Sequence, residues 1–326
     1  MSDTRSTLRI AVVIPCYKVT QHVLDVIAAI GPACSRIYAV DDCCPAGSGD
    51  LITAQCHDPR VKVLRNPSNL GVGGAVKLGY AAALADGMDI VVKIDGDGQM
   101  DPALLPQFVQ PILDGEADYT KGNRFLELEA LKAMPTLRLV GNSLLSFLTK
   151  FSSGYWDIFD PTNGYTAIHR EALRRLPLAK ISNRYFFESD LLFRLNLVRA
   201  VVVDIPMAAK YADEVSNLRI SAVVGEFFCK HLRNFGKRIV YNYYLRDMSL
   251  ASIELPLGIL LLLFGLLFGS VEWLASLRSG VPATTGTVML SVLPILLGLQ
   301  FNLSFLAFDI AAMPRRPLSR LHRDHA

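Results

Sequence analysis

The sequence predicts an α/β domain built on a mostly parallel sheet, followed by an interfacial amphipathic helix and two C-terminal membrane-spanning helices. Three observations predict it. From Leu8 onward, short β-branched runs alternate with helical patterns, as in strand–helix–strand units whose sheet is covered on both faces. The chain of 326 residues is 51% hydrophobic and has a mean hydropathy of +0.32, more apolar than an ordinary soluble domain. The excess is concentrated in two uncharged stretches near the C-terminus.

In chain order, strands are expected at LRIAVVIP (8–15), RIYAVDD (36–42), VKVLR (61–65), DIVVKID (89–95) and DYTKGN (118–123), with helices opening near Gln21, Ser48, Gly73 and Pro102. Ligands of such sheets bind beyond the carboxyl ends of the strands. The chemically suggestive stretches fall there: IPCY ends the first strand, VDDCCPAGSGD the second, NLGVGGAV follows the third and IDGDGQ ends the fourth. No internal repeat or low-complexity segment interrupts the pattern.

After Asn217 the apolar residues Ile220, Val223, Val224, Phe227, Phe228, Leu232, Phe235, Ile239 and Tyr243 recur at helical spacing with basic residues between them. Such a helix either lies in a membrane interface or packs on the preceding domain; its nearness to the first span favours the lipid bilayer. No charge occurs from Leu255 to Val271, nor between Arg278 and Asp309, and each stretch reads as a span. The expected domains are therefore 1–215, an interfacial region 216–248, and a two-helix anchor with a short basic tail, 249–326. The anchor also offers a surface for a homo-oligomer.

Lys230, Arg233, Lys237, Arg238 and Arg246 precede the first span and Arg315, Arg316, Arg320 and Arg323 follow the second, whereas the loop between holds only Arg278. This bias predicts an integral inner (plasma) membrane protein with both termini and the α/β domain cytoplasmic. MSDTRSTLR is polar and IAVVIP too short for a signal core. The six cysteines lack zinc-like spacing and are expected as free thiols. A net charge of +3 gives no argument for nucleic acid.

KIDGDGQMDP places Asp95 and Asp97 where a buried strand ends, so the two carboxylates converge as the backbone turns. With Gln99 they offer only oxygen ligands, the preference of Mg²⁺ or Mn²⁺, and too few to fill six positions; a diphosphate fits the remainder. Asp41 and Asp42 are placed to accept hydrogen bonds from a base or ribose. Gly71, Gly73 and Gly74 open a helix whose amides a ligand can approach. Neither GxGxxG nor a P-loop is present, which argues against a nicotinamide cofactor and an ordinary NTPase.

IPCYK, VDDCCPAGSGD, NLGVGGAVKLGY, KIDGDGQMDP, KGNRF, DPTNGYTAI and ESDLLFRL, in this order, resemble the successive motifs of family-2 glycosyltransferases with the Rossmann-like GT-A fold. The metal motif with glutamine, the arginine of GNRF, DPTNGY and the trailing spans are similar to the polyprenyl-phosphate glycosyltransferases, relatives of dolichol-phosphate mannose synthase. The resemblance implies that Pro15, Tyr17 and Asp42 border the nucleoside of a nucleotide-sugar donor. Asp95 would lie near ribose and metal, Asp97 and Gln99 on the metal, and Arg124 at the phosphate of a polyprenyl phosphate acceptor. VDDCCP and IPCYK depart from the commoner pattern and leave the base open.

A lipid phosphate arrives already ionised, so arginines that position it matter more than a base; Arg124, Arg138 and Arg219 are the candidates. Asp190 of ESDLLF stands where an enzyme acting on an acceptor hydroxyl would keep its catalytic base. That leaves open a transferase acting on a polysaccharide or glycolipid hydroxyl. A silent, membrane-anchored nucleotide-sugar binder is a further alternative. LRLVGNSLLSFLTKFSSGYWDIF, before DPTNGY, is an apolar helical pattern that either rests on the bilayer or belongs to the core.

Overall fold

The computed structural model describes residues 8–126, 136–208 and 220–323. Two compact units emerge, one formed by Met1–Phe235 with Pro314–Ala326 and the other by Gly236–Met313. In the first unit, β1 (Ile10–Cys16), α1 (Val23–Ala29), β2 (Cys34–Asp41), α2 (Ser48–Gln55), β3 (Val61–Arg65), α3 (Val72–Ala85) and β4 (Ile90–Lys93) follow the predicted alternation. Then come α4 (Leu105–Leu113), β5 (Tyr119–Asn123), α5 (Thr136–Ser153), β6 (Thr166–His169), α6 (Arg170–Arg175), α7 (Phe187–Leu197), β7 (Val202–Pro206) and α8 (Ile220–Val240).

The strands form one seven-stranded sheet in the order β3-β2-β1-β4-β6-β5-β7. It is parallel except at β6, which runs antiparallel to both β4 and β5. The sequence expectation contained β1 to β5 and missed β6 and β7. β6 has only four residues, TAIH, and takes its place by slotting between β4 and β5, which a one-dimensional pattern does not display.

Apolar residues from alternate strand positions make two cores. Val12, Ile14, Val92 and Ile94 pack with Val26 of α1 and Phe108 of α4 on one face. Val13, Val40 and Val91 pack with Val76 of α3 and Leu191 of α7 on the other. The sheet is thus covered on both sides, and its strand ends are left for ligands.

α5 is built inside out. Ser146, Thr149, Ser152 and Ser153 are buried, whereas Val140, Leu144 and Phe147 are 66%, 60% and 55% exposed. α8 begins on the first unit: Phe227 meets Phe186 edge-on, Phe235 stacks on Phe151 at 4.7 Å, and His231 Nδ1 is 2.7 Å from Ser152 Oγ. Its Phe228 and Leu232 stay exposed. One flank of the helix is thus packed on the first unit and another is left outside. The compact units divide at Phe235, inside α8.

In the second unit, a π-helical turn (Tyr241–Arg246) leads to α9 (Leu250–Ser279) and α10 (Thr285–Ala311). Both are long and apolar enough to cross a membrane, with mean hydropathies of 2.3 and 1.8. They pair closely because Gly258, Gly265 and Gly298 lie at the contact, where a Cβ would press on facing backbone: 3.0 Å from Gly298 O for Gly258, 2.7 Å from Ser291 O for Gly265. Ser291 donates to Gly265 O and Ser304 to Glu254. At one end Arg238, fully buried, pairs with Asp309, which also accepts from Tyr243.

After α10 the chain rejoins the first unit. In α11 (Leu318–Arg323) the amides of Leu318 and Ser319 donate to the buried Asp118 carboxylate, and Arg320 donates to Asp114 O. The short basic tail thus contains a helix whose first turn is capped by Asp118, the residue before β5.

Candidate active site

The last residue of β4, Lys93, and the turn after it organise the site. Lys93 is buried, yet its ammonium lies 2.8 Å from Asp95 Oδ1 and 3.5 Å from Glu188 Oε1 and donates to Gly164 O at 3.1 Å. Burial by itself would depress the ammonium, but Asp95 and Glu188 outweigh it and hold Lys93 charged. Burial pushes the Glu188 carboxyl up, opposed by Lys93 and Lys121. Asp95 remains partly exposed. Two residues on, Asp97 Oδ1 accepts from the Gln99 amide at 3.0 Å, with Gly98 at φ +79° between them. That left-handed glycine turns the loop back on itself. Asp95, Asp97 and Gln99, all partly exposed, thus follow one tight turn.

At the end of β1, Pro15, the next-to-last residue of the strand, is half-buried and Tyr17 just beyond it is exposed. Asp41 and Asp42 are both buried and hydrogen-bonded within the protein. Asp41 accepts from the Cys44 and Gly49 amides, at 2.8 and 3.1 Å. Asp42 accepts from Asn66 Nδ2 at 2.7 Å and from the amides of Leu70 and Gly71 at 3.0 and 2.7 Å. Asp42 therefore fixes the loop leading into α3. The glycines of GVGG serve a close protein contact: the Gly74 amide donates to Asn183 O at 3.1 Å, and a Cβ on Gly73 would fall 2.5 Å from Ser182 O. Sequence spacing identified the need for close approach, but the approaching group is the loop before α7.

Arg124 follows β5 and grips Asp160 of DPTNGY through two parallel hydrogen bonds, Nε at 2.7 Å and Nη2 at 2.9 Å, with its own amide 3.2 Å from the same carboxylate. Asp160 is 1% exposed and Arg124 24%. Burial would raise the Asp160 carboxyl, but the guanidinium prevails and holds it below its usual range. Phe125 and Phe159, next in sequence to the pair, meet edge-on at 5.1 Å. Arg138 lies in the first turn of α5 with its side chain outside the described residues, and Arg219 lies outside them altogether.

Asp190 is buried and engaged on both oxygens: Ser182 N and Oγ donate to Oδ2 at 2.8 and 3.2 Å, and Asn234 of α8 donates to Oδ1 at 3.1 Å. It ties the loop before α7 to α8. Of the ESD stretch, Glu188 is the residue brought to Asp95, through Lys93. Lys93, Lys121 and Asp160 were not singled out from the sequence. The available signal was a lysine inside IVVKID and another inside YTKGN, where only buried, paired lysines belong.

A family model described as glycosyl transferase family 2 matches residues 11–176, just over half of the chain. The chain belongs to glycosyl transferase family 2. Among its curated relatives, polyprenol monophosphomannose synthase of Mycolicibacterium smegmatis is 30% identical over 63% of this chain and 79% of the relative. Undecaprenyl-phosphate mannosyltransferase of Micrococcus luteus is 28% identical over 67% and 90%. Among solved structures, glucosyl-3-phosphoglycerate synthase from Mycobacterium tuberculosis, in complex with Mn²⁺, UDP and glucosyl-3-phosphoglycerate, superposes with a TM-score of 0.53 at 20% identity, covering 71% of this chain and 80% of that one. The mannosyltransferase PcManGT from Pyrobaculum calidifontis, in complex with GDP-Man and Mn²⁺, gives 0.50 at 15% identity over 90% and 87%.

As a family-2 member the chain is a nucleotide-sugar-dependent glycosyltransferase, and its sheet is that of the GT-A fold. The turn after β4 suits a divalent cation by the chemistry of its donors, two carboxylates and an amide oxygen. Among the described residues no three His, Cys, Asp or Glu side chains gather into a complete metal cage. An incomplete all-oxygen set is what a cation shared with substrate phosphates uses.

Proposed function

We propose that this glycosyltransferase is an inverting, metal-dependent enzyme that moves a sugar from a nucleoside-diphosphate donor to a polyprenyl phosphate at the cytoplasmic face of a membrane. The observation that carries the reading is the state of the ESD carboxylates. Asp190 is spent on Ser182 and Asn234, and Glu188 faces the buried Lys93 ammonium. An acceptor hydroxyl needs a base to remove its proton, whereas an ionised phosphate does not. The arginine held in a fixed fork by Asp160 suits such an acceptor.

In this reading Asp95, Asp97 and Gln99 hold Mg²⁺ or Mn²⁺, which supplies positive charge to the departing diphosphate. Arg124 orients the acceptor so that a phosphate oxygen attacks the anomeric carbon opposite the leaving group. The carbon–oxygen bond to the diphosphate breaks, its electron pair leaves with the nucleoside diphosphate, and the configuration inverts. Pro15 and Tyr17 border the nucleoside, and Asp41 and Asp42 act by holding the loops around it.

The relatives named for polyprenol and undecaprenyl phosphate and the two apolar helices support a lipid acceptor. So does α5, whose exposed Val140, Leu144 and Phe147 suit a bilayer surface better than water. The test is release of nucleoside diphosphate by the detergent-solubilised full chain, with a panel of nucleotide sugars and Mn²⁺, in the presence and absence of undecaprenyl phosphate. Release that depends on the lipid phosphate supports the reading; release driven only by hydroxyl acceptors, or none at all, refutes it.

A further inference from the structure

A lysine buried at the end of a central strand is costly unless its charge has work to do. Lys93 is flanked by a second one. In the sheet register Lys93 of β4 and Lys121 of β5 both pair with Thr166 of β6, which puts their side chains on one face across three strands. Both ammonium groups reach the DPTNGY turn: Lys93 donates to Gly164 O at 3.1 Å and Lys121 to Asn163 O. Successive carbonyls of one turn are thereby pinned from below. The turn begins at Asp160, which holds Arg124, and ends against Asp95, since a Cβ on Gly164 would collide with both Asp95 Oδ2 and Lys93 Nζ.

We propose that Lys93 is a positioning residue that fixes the Asp95 carboxylate and ties it to the Asn163–Gly164 turn, so that the metal-binding and acceptor-binding halves of the site keep one geometry. Three of its interactions carry this. The contact with Asp95 sets which oxygen faces outward. The contact with Glu188 keeps the ammonium balanced, two carboxylates to one cation, so that it does not seize Asp95 outright. The bond to Gly164 O anchors the assembly to the segment that orients Arg124. Lys121 supports the neighbouring carbonyl, that of Asn163. The inference rests on the reading of Asp95 as part of a cation site, and deepens it.

The test measures Mn²⁺ binding by the full chain in detergent, from the electron paramagnetic resonance signal of the free ion, alongside thermal unfolding. Lys93→Met with Glu188→Gln removes the buried pair together and avoids leaving an unpaired carboxylate. Gly164→Ala is a second variant that keeps every charge and disturbs the packing against Asp95 and Lys93. Partners that orient metal ligands from behind typically account for about 10- to 100-fold in affinity. Mn²⁺ binding should weaken by that factor in both variants that fold, and Asp97→Asn should also weaken it. Wild-type Mn²⁺ affinity in a folded Lys93→Met/Glu188→Gln protein, or in Gly164→Ala if the double variant does not fold, overturns the inference while the Asp97→Asn loss preserves the metal reading. If wild type binds no Mn²⁺, or Asp97→Asn changes nothing, the metal reading falls and the inference with it.

Discussion

At the scale of single residues, the Arg124–Asp160 fork and the Asp190 knot make opposite predictions. Arg124→Lys keeps the charge but gives up the planar two-bond grip. Acceptor kcat/KM should fall about 10- to 100-fold, the worth of one hydrogen bond to a charged partner, with donor KM unchanged. Steady-state kinetics with the acceptor varied measures this, and unchanged acceptor kinetics would remove Arg124 from the site. Asp190→Asn keeps one acceptor oxygen but turns the other into a donor facing Ser182 or Asn234 in a buried place, and removes the charge beside Arg194, so it should cost about 1–3 kcal/mol of stability. Turnover per folded molecule should be kept. A collapsed rate with unchanged thermal unfolding would instead point to a catalytic base and a hydroxyl acceptor. Asp95, Asp97, Gln99 and Arg124 were legible because each sits in a short motif at a strand end. Lys93–Glu188 and Asp190–Asn234 were not, because their partners are distant in sequence and meet only through the sheet order and the packing of α7 and α8.

At the scale of elements, β1 to β5 were readable from apolar runs and turn residues, while β6 and β7 are short and depend on their neighbours. The amphipathic pattern of α5 was also visible, but not which side faces inward: only the structure shows serine and threonine against the protein and Val140, Leu144 and Phe147 outside. Leu144→Glu with Phe147→Glu should therefore leave thermal unfolding in detergent almost unchanged. Turnover of lipid acceptor in phosphatidylglycerol-containing vesicles should drop several-fold, and a large loss of stability would show that the face is core. α8 carries a pH dependence. Burial depresses the His231 imidazole to about 4, below the unfolded value of about 6.5. Between those limits the unfolded chain takes up the proton, so stability is full above the unfolded value and is lost as pH falls, by at most about 1.4 kcal/mol per pH unit. Unfolding midpoints at pH 7 and pH 5 should separate less in His231→Gln than in wild type; equal separations would contradict the assignment.

At the scale of the whole molecule, the chain leaves the catalytic unit in α8, passes through two apolar helices and returns to that unit at Pro314. There α11 docks on the Asp118 carboxylate within that unit. The homo-oligomer expected through the spans finds no support, since the glycines of α9 and α10 are used within the hairpin. What remains central is the acceptor, because the GT-A fold by itself would serve a hydroxyl acceptor equally well. The most direct measurement is tandem mass spectrometry of the lipid product formed from undecaprenyl phosphate and the nucleotide sugar that supports turnover. The account predicts a lipid heavier by one sugar residue, whose fragments retain the sugar on the phosphate. Unmodified undecaprenyl phosphate alongside a glycosylated hydroxyl acceptor would contradict it.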